Sequence, residues 1–215
     1  MSTVTLQTSK AEIFEGPESA PAVIVVHEWW GLNDDIRSLS ARFVSEGFTA
    51  LAVDLFAGKL AKNEAEAGEL ANEMKTTDAM TVITDAVKYL RGYGAPKVGI
   101  TGFCLGGGMA LAAGCTVAGL SAAVPFYGIP KPEFLRFSRD TPPILGHYSK
   151  IDAWASLERA NGIAAQATAA GASFVVEAYD GPHAFMRAHD PKAYHEASAT
   201  LAWKRTVEFL KKSLG

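Results

Sequence analysis

The sequence lacks any apolar run near the roughly 18 residues that a membrane span needs. Its longest, around Ala22–Val26 and Phe48–Val53, are strand-sized. Excess positive charge is missing too: 20 Lys and Arg face 23 Asp and Glu, for a formal net charge of −3. No strongly basic field exists to hold nucleic acid or an anionic membrane, so neither is an expected partner. The opening Met-Ser-Thr-Val-Thr-Leu-Gln lacks the basic start and apolar centre of a signal peptide. Only 2 cysteines occur, Cys104 and Cys115. They flank one predicted helix and so stand about 16 Å apart at its rise per residue, beyond disulfide reach. Reduced thiols and a cytoplasmic location are expected. There is no repeat, low-complexity tract or Pro/Ser-rich linker. A single domain over residues 1–215 is expected, monomeric or weakly homo-oligomeric.

What is present is a globular composition, 48% hydrophobic and 20% charged over 215 residues, enough for a sizeable core. Apolar strand-like runs alternate with longer helical stretches. That pattern predicts an α/β fold with a mainly parallel, doubly wound sheet. Residues 1–16 alternate polar and apolar and read as an antiparallel edge hairpin. Ala22–His27 and Phe48–Leu55 read as buried strands, with a helix over Asp34–Glu46 between them, capped by Asn33 or Asp34 and stopped by Gly47. Helices follow at Glu64–Lys75 and Asp78–Arg91. Strands are predicted at Lys97–Thr101, Leu120–Tyr127, Pro142–Tyr148 and Ser173–Tyr179. Further helices are predicted to Cys115, over Trp154–Ala170 and over Pro191–Ser213.

The strongest local signal is Gly102-Phe103-Cys104-Leu105-Gly106 between a predicted strand and a predicted helix. It has the form of the nucleophile elbow G-x-S-x-G with sulfur in place of oxygen. The glycines suit a tight, strained turn packed against a strand and a helix. The helix that follows aims its N–H groups at the sulfur. Alone, the segment also fits a Gly-rich turn around a buried cysteine. A dinucleotide loop is excluded by spacing, since G-x-G-x-x-G is absent.

An elbow demands an acid and then a histidine, each after a later strand. Asp152 follows Pro142–Tyr148, and His183 follows Ser173–Tyr179. Histidine titrates near neutrality, so His183 suits taking the thiol proton and returning it to a leaving alkoxide. Asp152 suits fixing the imidazole tautomer. Each has a plainer reading, Asp152 as a helix N-cap and His183 as a loop residue bonded to backbone. His147 competes for the base. His27 is expected to pack or bond backbone at a strand end, and His189 and His195 to lie at the surface. H-E-x-x-H is absent and the cysteines form no C-x-x-C pair, so no metal and no cofactor are expected.

Together these residues resemble the dienelactone hydrolases (carboxymethylenebutenolidases) of the α/β-hydrolase superfamily, over nearly the whole chain. The resemblance rests on His27-Glu28-Trp29-Trp30-Gly31, Asp54-Leu55-Phe56, the Cys104 elbow, Asp152 and His183-Ala184-Phe185. It implies an α/β-hydrolase fold and a Cys104–His183–Asp152 triad that cleaves a dienelactone-like ester or lactone through an acyl-thioester. It implies that Glu28 takes part in switching the thiol on, and that the Leu105 and Trp29 N–H groups form the oxyanion hole. Arg187 matches one of two arginines that hold a substrate carboxylate in the family. The second, expected within Lys59–Lys75, is not there, which favours the alternative of a broad small-ester or thioester hydrolase with no carboxylate requirement. Trp154, beside Asp152, replaces a residue that is usually smaller. Trp29, Trp30, Phe103, Tyr127 and Phe185 are expected to line the pocket.

Overall fold

Ala22–Val26 (β3) is apolar at every position because helices cover both of its faces. Ala22, Ile24 and Val26 point into one core and Val23 and Val25 into the other. The same logic governs Thr49–Val53 (β4), every residue of which is buried. The computed structural model describes residues 1–215 and arranges its eight strands as one sheet in the order β1-β2-β4-β3-β5-β6-β7-β8. Ser2–Thr5 (β1) and Lys10–Phe14 (β2) form the antiparallel edge, β2 pairing antiparallel with β4. Val98–Phe103 (β5), Leu120–Phe126 (β6), Ile144–Ser149 (β7) and Phe174–Tyr179 (β8) run parallel with β3 and β4. This is the α/β-hydrolase architecture.

Helices Asp34–Ser45 (α1) and Glu196–Leu214 (α6) cover one face. Ile36, Leu39 and Phe43 of α1 meet Trp203, Val207 and Leu210 of α6 in that core. Thr76–Gly92 (α3), Leu105–Thr116 (α4) and Leu157–Ala169 (α5) cover the other. Each fully buried Val, Leu, Ile or Phe in these layers stabilises the fold by about 1.5–3 kcal/mol. Glu64–Glu73 (α2) buries only Ala67 and lies outside the main layers.

Predicted boundaries differ at two places that matter. The predicted helix Trp154–Ala170 begins only at Leu157, because Ser156 is its N-cap and the Asp152 carboxylate takes the N–H groups of Trp154 and Ala155 first. The predicted helix from Pro191 begins at Glu196, where the His195 side chain accepts the Ser198 N–H. In between, residues 180–195 form a loop at the carboxyl edge of the sheet.

Candidate active site

The carboxyl ends of four strands deliver the site. Glu28 follows β3, Cys104 follows β5, Asp152 follows β7 and His183 follows β8. Open α/β sheets gather ligands at this edge. At Cys104 the backbone adopts φ 53° and ψ −113°, a conformation a side chain rarely takes. The turn is held from both sides: Cys104 donates its N–H to the Phe126 carbonyl and accepts from Gly108, each at 3.1 Å. Glycine is required beside it. A Cβ on Gly106 would collide with the carbonyl oxygens of Val26 and His27, and one on Gly102 with that of Gly106.

The structure brings the three sequence-predicted partners together. His183 Nε2 lies 3.2 Å from Cys104 Sγ, and His183 Nδ1 lies 2.5 Å from Asp152 Oδ2. With Nδ1–H donating to the carboxylate, Nε2 is left to accept the thiol proton. The other oxygen of Asp152 takes N–H groups from Trp154 at 2.8 Å and Ala155 at 3.2 Å. Burial opposes ionisation of Asp152, but the hydrogen bond and charge of His183 and the two N–H groups outweigh it and hold the carboxyl below its ordinary value.

Glu28 is buried near the thiol without a hydrogen bond to it. It accepts the Tyr127 hydroxyl at 3.3 Å and lies 3.7 Å from Arg187 Nη1. Burial raises its pKa to about 7, against the opposing charges of Arg187 and His183. The Cys104 thiol is pushed up to about 12, first by burial and next by the negative charge of Glu28, with the Leu105 N–H opposing. Burial and the Glu28 charge both favour the protonated sulfur. The Leu105 N–H faces that sulfur, and the Trp29 N–H has no backbone acceptor.

A cavity of about 370 Å³ opens over Cys104, with Trp29, Trp30, Trp154, Glu64, Arg187 and Asp190 among its walls. Trp29 and Trp30 stand where they were expected. Phe103, Tyr127 and Phe185 do not: they are 1%, 1% and 0% exposed and belong to the core beneath the site. Phe103 ends a fully buried strand and packs on Phe126 at 4.8 Å. Phe185 packs on Tyr127 and Tyr179. Tyr127 meets the site from below, through its hydroxyl on Glu28 and through its ring, which lies 5.1 Å edge to face from the His183 imidazole. Sequence reading did not assign Trp154, Glu64 or Asp190 to the wall. Adjacency of Trp154 to Asp152 was the one available signal.

Arg187 lines the cavity, but its guanidinium is engaged. It pairs with Asp190, approaches Glu28 and lies 5.1 Å over the Trp30 ring. His147 is not placed to act on the thiol. It is fully buried between the Tyr179 hydroxyl at 2.8 Å and the Thr206 hydroxyl at 2.9 Å, and burial lowers its pKa to about 3. His27 accepts the Leu55 N–H at Nε2 and bonds the Glu28 carbonyl through Nδ1. His189 pairs with Asp35 at the surface. No group of three or more His, Cys, Asp or Glu side chains is arranged to hold a metal ion, and no helix is long and apolar enough to cross a membrane.

Comparison with known proteins agrees with this architecture. The model of the dienelactone hydrolase family matches residues 10–214. The protein usf of Aquifex pyrophilus is 35% identical over 205 residues, covering 90% of this chain and 89% of its own. A candidate carboxymethylenebutenolidase of Aquifex aeolicus is 33% identical, with 90% and 88% covered. Among solved structures, a candidate dienelactone hydrolase from Klebsiella pneumoniae superposes with a TM-score of 0.84 at 25% identity, covering 99% of this chain and 100% of that one.

Proposed function

The chain belongs to the dienelactone hydrolase family and is a carboxylic ester hydrolase, and from that premise we propose that it cleaves a small ester or lactone with Cys104 as nucleophile. The observation that carries this reading is the line Cys104–His183–Asp152, with contacts of 3.2 and 2.5 Å. His183 Nε2 takes the thiol proton as the sulfur attacks the carbonyl carbon and the C–S bond forms. The oxyanion is received by the N–H groups of Leu105 and Trp29. The C–O bond then breaks, His183 returns its proton to the alkoxide, and an acyl-thioester remains. Water, deprotonated by His183, attacks the thioester. The acid leaves and the thiol is restored. Asp152 holds the imidazole in the required tautomer throughout.

Glu28 has a different part. Its carboxylate disfavours thiolate, so the free enzyme keeps Cys104 protonated and slow to oxidise. Displacement of that charge when substrate binds turns the nucleophile on. The substrate is read as dienelactone-like in its reacting group. A second reading, a broad-specificity ester or thioester hydrolase with no need for a carboxylate, is favoured by the engagement of Arg187 with Asp190 and Glu28. The test is capture of the acyl-thioester. Wild type quenched in acid during turnover of an aryl acetate should carry an acetyl group on Cys104 by mass spectrometry, and Cys104→Ala should carry none and turn over nothing. Full turnover by the alanine variant would refute the proposal.

A further inference from the structure

We infer that the cavity over Cys104 selects an uncharged ester or lactone with a flat apolar group, and turns away one that carries a carboxylate. This deepens the reading above and rests on it. Four carboxyl side chains, Glu28, Glu64, Asp152 and Asp190, line the cavity against one guanidinium, Arg187, with His183 the other basic group. The guanidinium is covered on three sides: Asp190 bonds Nη2, Glu28 lies 3.7 Å from Nη1, and the Trp30 ring lies 5.1 Å from its centre. A substrate carboxylate reaching Arg187 shares the guanidinium with the carboxyl groups of Asp190 and Glu28. Two like charges at close range in a partly desolvated wall repel more than in water. Glu64, exposed on α2, adds negative charge on the approach, and no lysine lines the cavity to offset it.

Three tryptophans, Trp29, Trp30 and Trp154, join Ile151, Pro182 and small alanines in the uncharged part of the wall. Trp30, Trp29 and Trp154 follow one another edge to face, at 5.4 and 5.7 Å between ring centres, and Trp154 ends 5.8 Å from the His183 ring. Trp154 is 64% exposed. An aromatic ring held in water at the mouth of a cavity offers area that a flat ligand group can cover. The arc therefore supplies non-polar contact beside the thiol, where Asp152 is paired with His183 and Asp190 with Arg187.

The experiment compares meta-acetoxybenzamide with meta-acetoxybenzoate, which share a shape and a scissile acetyl group and differ in charge. In low salt, wild type should show kcat/KM higher for the benzamide by about tenfold or more. Glu64→Lys and Asp190→Asn should each raise the benzoate-to-benzamide ratio, the second by freeing Arg187. Trp154→Ala should lower kcat/KM for the aryl acetate more than for ethyl acetate. Equal or preferred cleavage of the benzoate by wild type overturns the inference, as does a ratio that neither charge variant moves. If wild type cleaves neither ester, or Cys104→Ala cleaves both, the nucleophile assignment fails instead. Charge preference is then read by titrating benzamide and benzoate against tryptophan fluorescence, since three of the 4 tryptophans line the cavity. Benzamide should quench at the lower concentration, and tighter or equal binding of benzoate refutes the selection.

Discussion

Asp152 holds His183 at 2.5 Å with one oxygen and the N–H groups of Trp154 and Ala155 with the other. One carboxylate thus orients the imidazole and shapes its own loop. Asp152→Asn separates these duties. The amide oxygen can keep the two backbone bonds, but an NH₂ group facing Nδ1 forces the wrong imidazole tautomer. We expect kcat to fall by about a thousandfold or more, with the thermal midpoint little changed. A small loss of rate would mean that the tautomer is set elsewhere.

Glu28 should make the fold less stable as pH rises. Its folded pKa of about 7 lies above its ordinary 4.5, so between those values the folded chain binds more protons than the unfolded one. Stability is greatest below about 4.5 and falls up to about 7, by on the order of 3 kcal/mol for this group alone. Urea titrations of wild type and Glu28→Gln from pH 4.5 to 8 isolate the effect. The difference between them should shift in favour of the glutamine variant as pH rises, and parallel curves would remove the burial argument.

The same carboxylate raises the Cys104 pKa. Neutralising it should favour thiolate. Iodoacetamide should therefore modify Cys104 several-fold faster in Glu28→Gln than in wild type at pH 7.5. Equal rates would show that burial alone protects the thiol.

Phe185 is an apt check on what is wall and what is foundation. It is fully buried and touches Phe126, Tyr127 and Tyr179. Phe185→Leu should cost roughly 1–2 kcal/mol in chemical denaturation, through lost contacts and a small void, with KM nearly unchanged. A large KM change at unchanged stability would return Phe185 to the pocket.

Two glycine substitutions should move in opposite directions. Gly106→Ala drives a methyl into the Val26 and His27 carbonyls and should destabilise by about 3 kcal/mol or more. Gly162→Ala, on an exposed turn of α5 with open space around it, should stabilise by about 0.5–1 kcal/mol. Thermal melts of both variants decide the matter.

Much of this was legible in the sequence because backbone rules write themselves into residue type. The glycines around Cys104 are dictated by carbonyls that leave no room for a Cβ. Unbroken apolar strands announced helices on both faces, and Asp152 and His183 each followed a strand in the order that an elbow requires. Side-chain direction was less visible. Phe103 adjoins Cys104 and Phe185 lies two residues after His183, yet both point into the core: Phe103 ends a strand, where neighbours alternate faces, and the chain turns at Ala184, φ 62°, before Phe185. Trp154, in the turn before α5, is 64% exposed. The pairing of Arg187 with Asp190 depends on how one loop folds over three residues, and composition carries no trace of that.

The φ of 53° at Cys104 has a final consequence. A residue with no Cβ would sit there at ease, whereas cysteine gives up about 1 kcal/mol or more. Cys104→Gly should yield a more heat-resistant molecule that does nothing. The residue proposed as nucleophile thus sits at one of five non-glycine positions with positive φ, and improvement by stability alone would erase it.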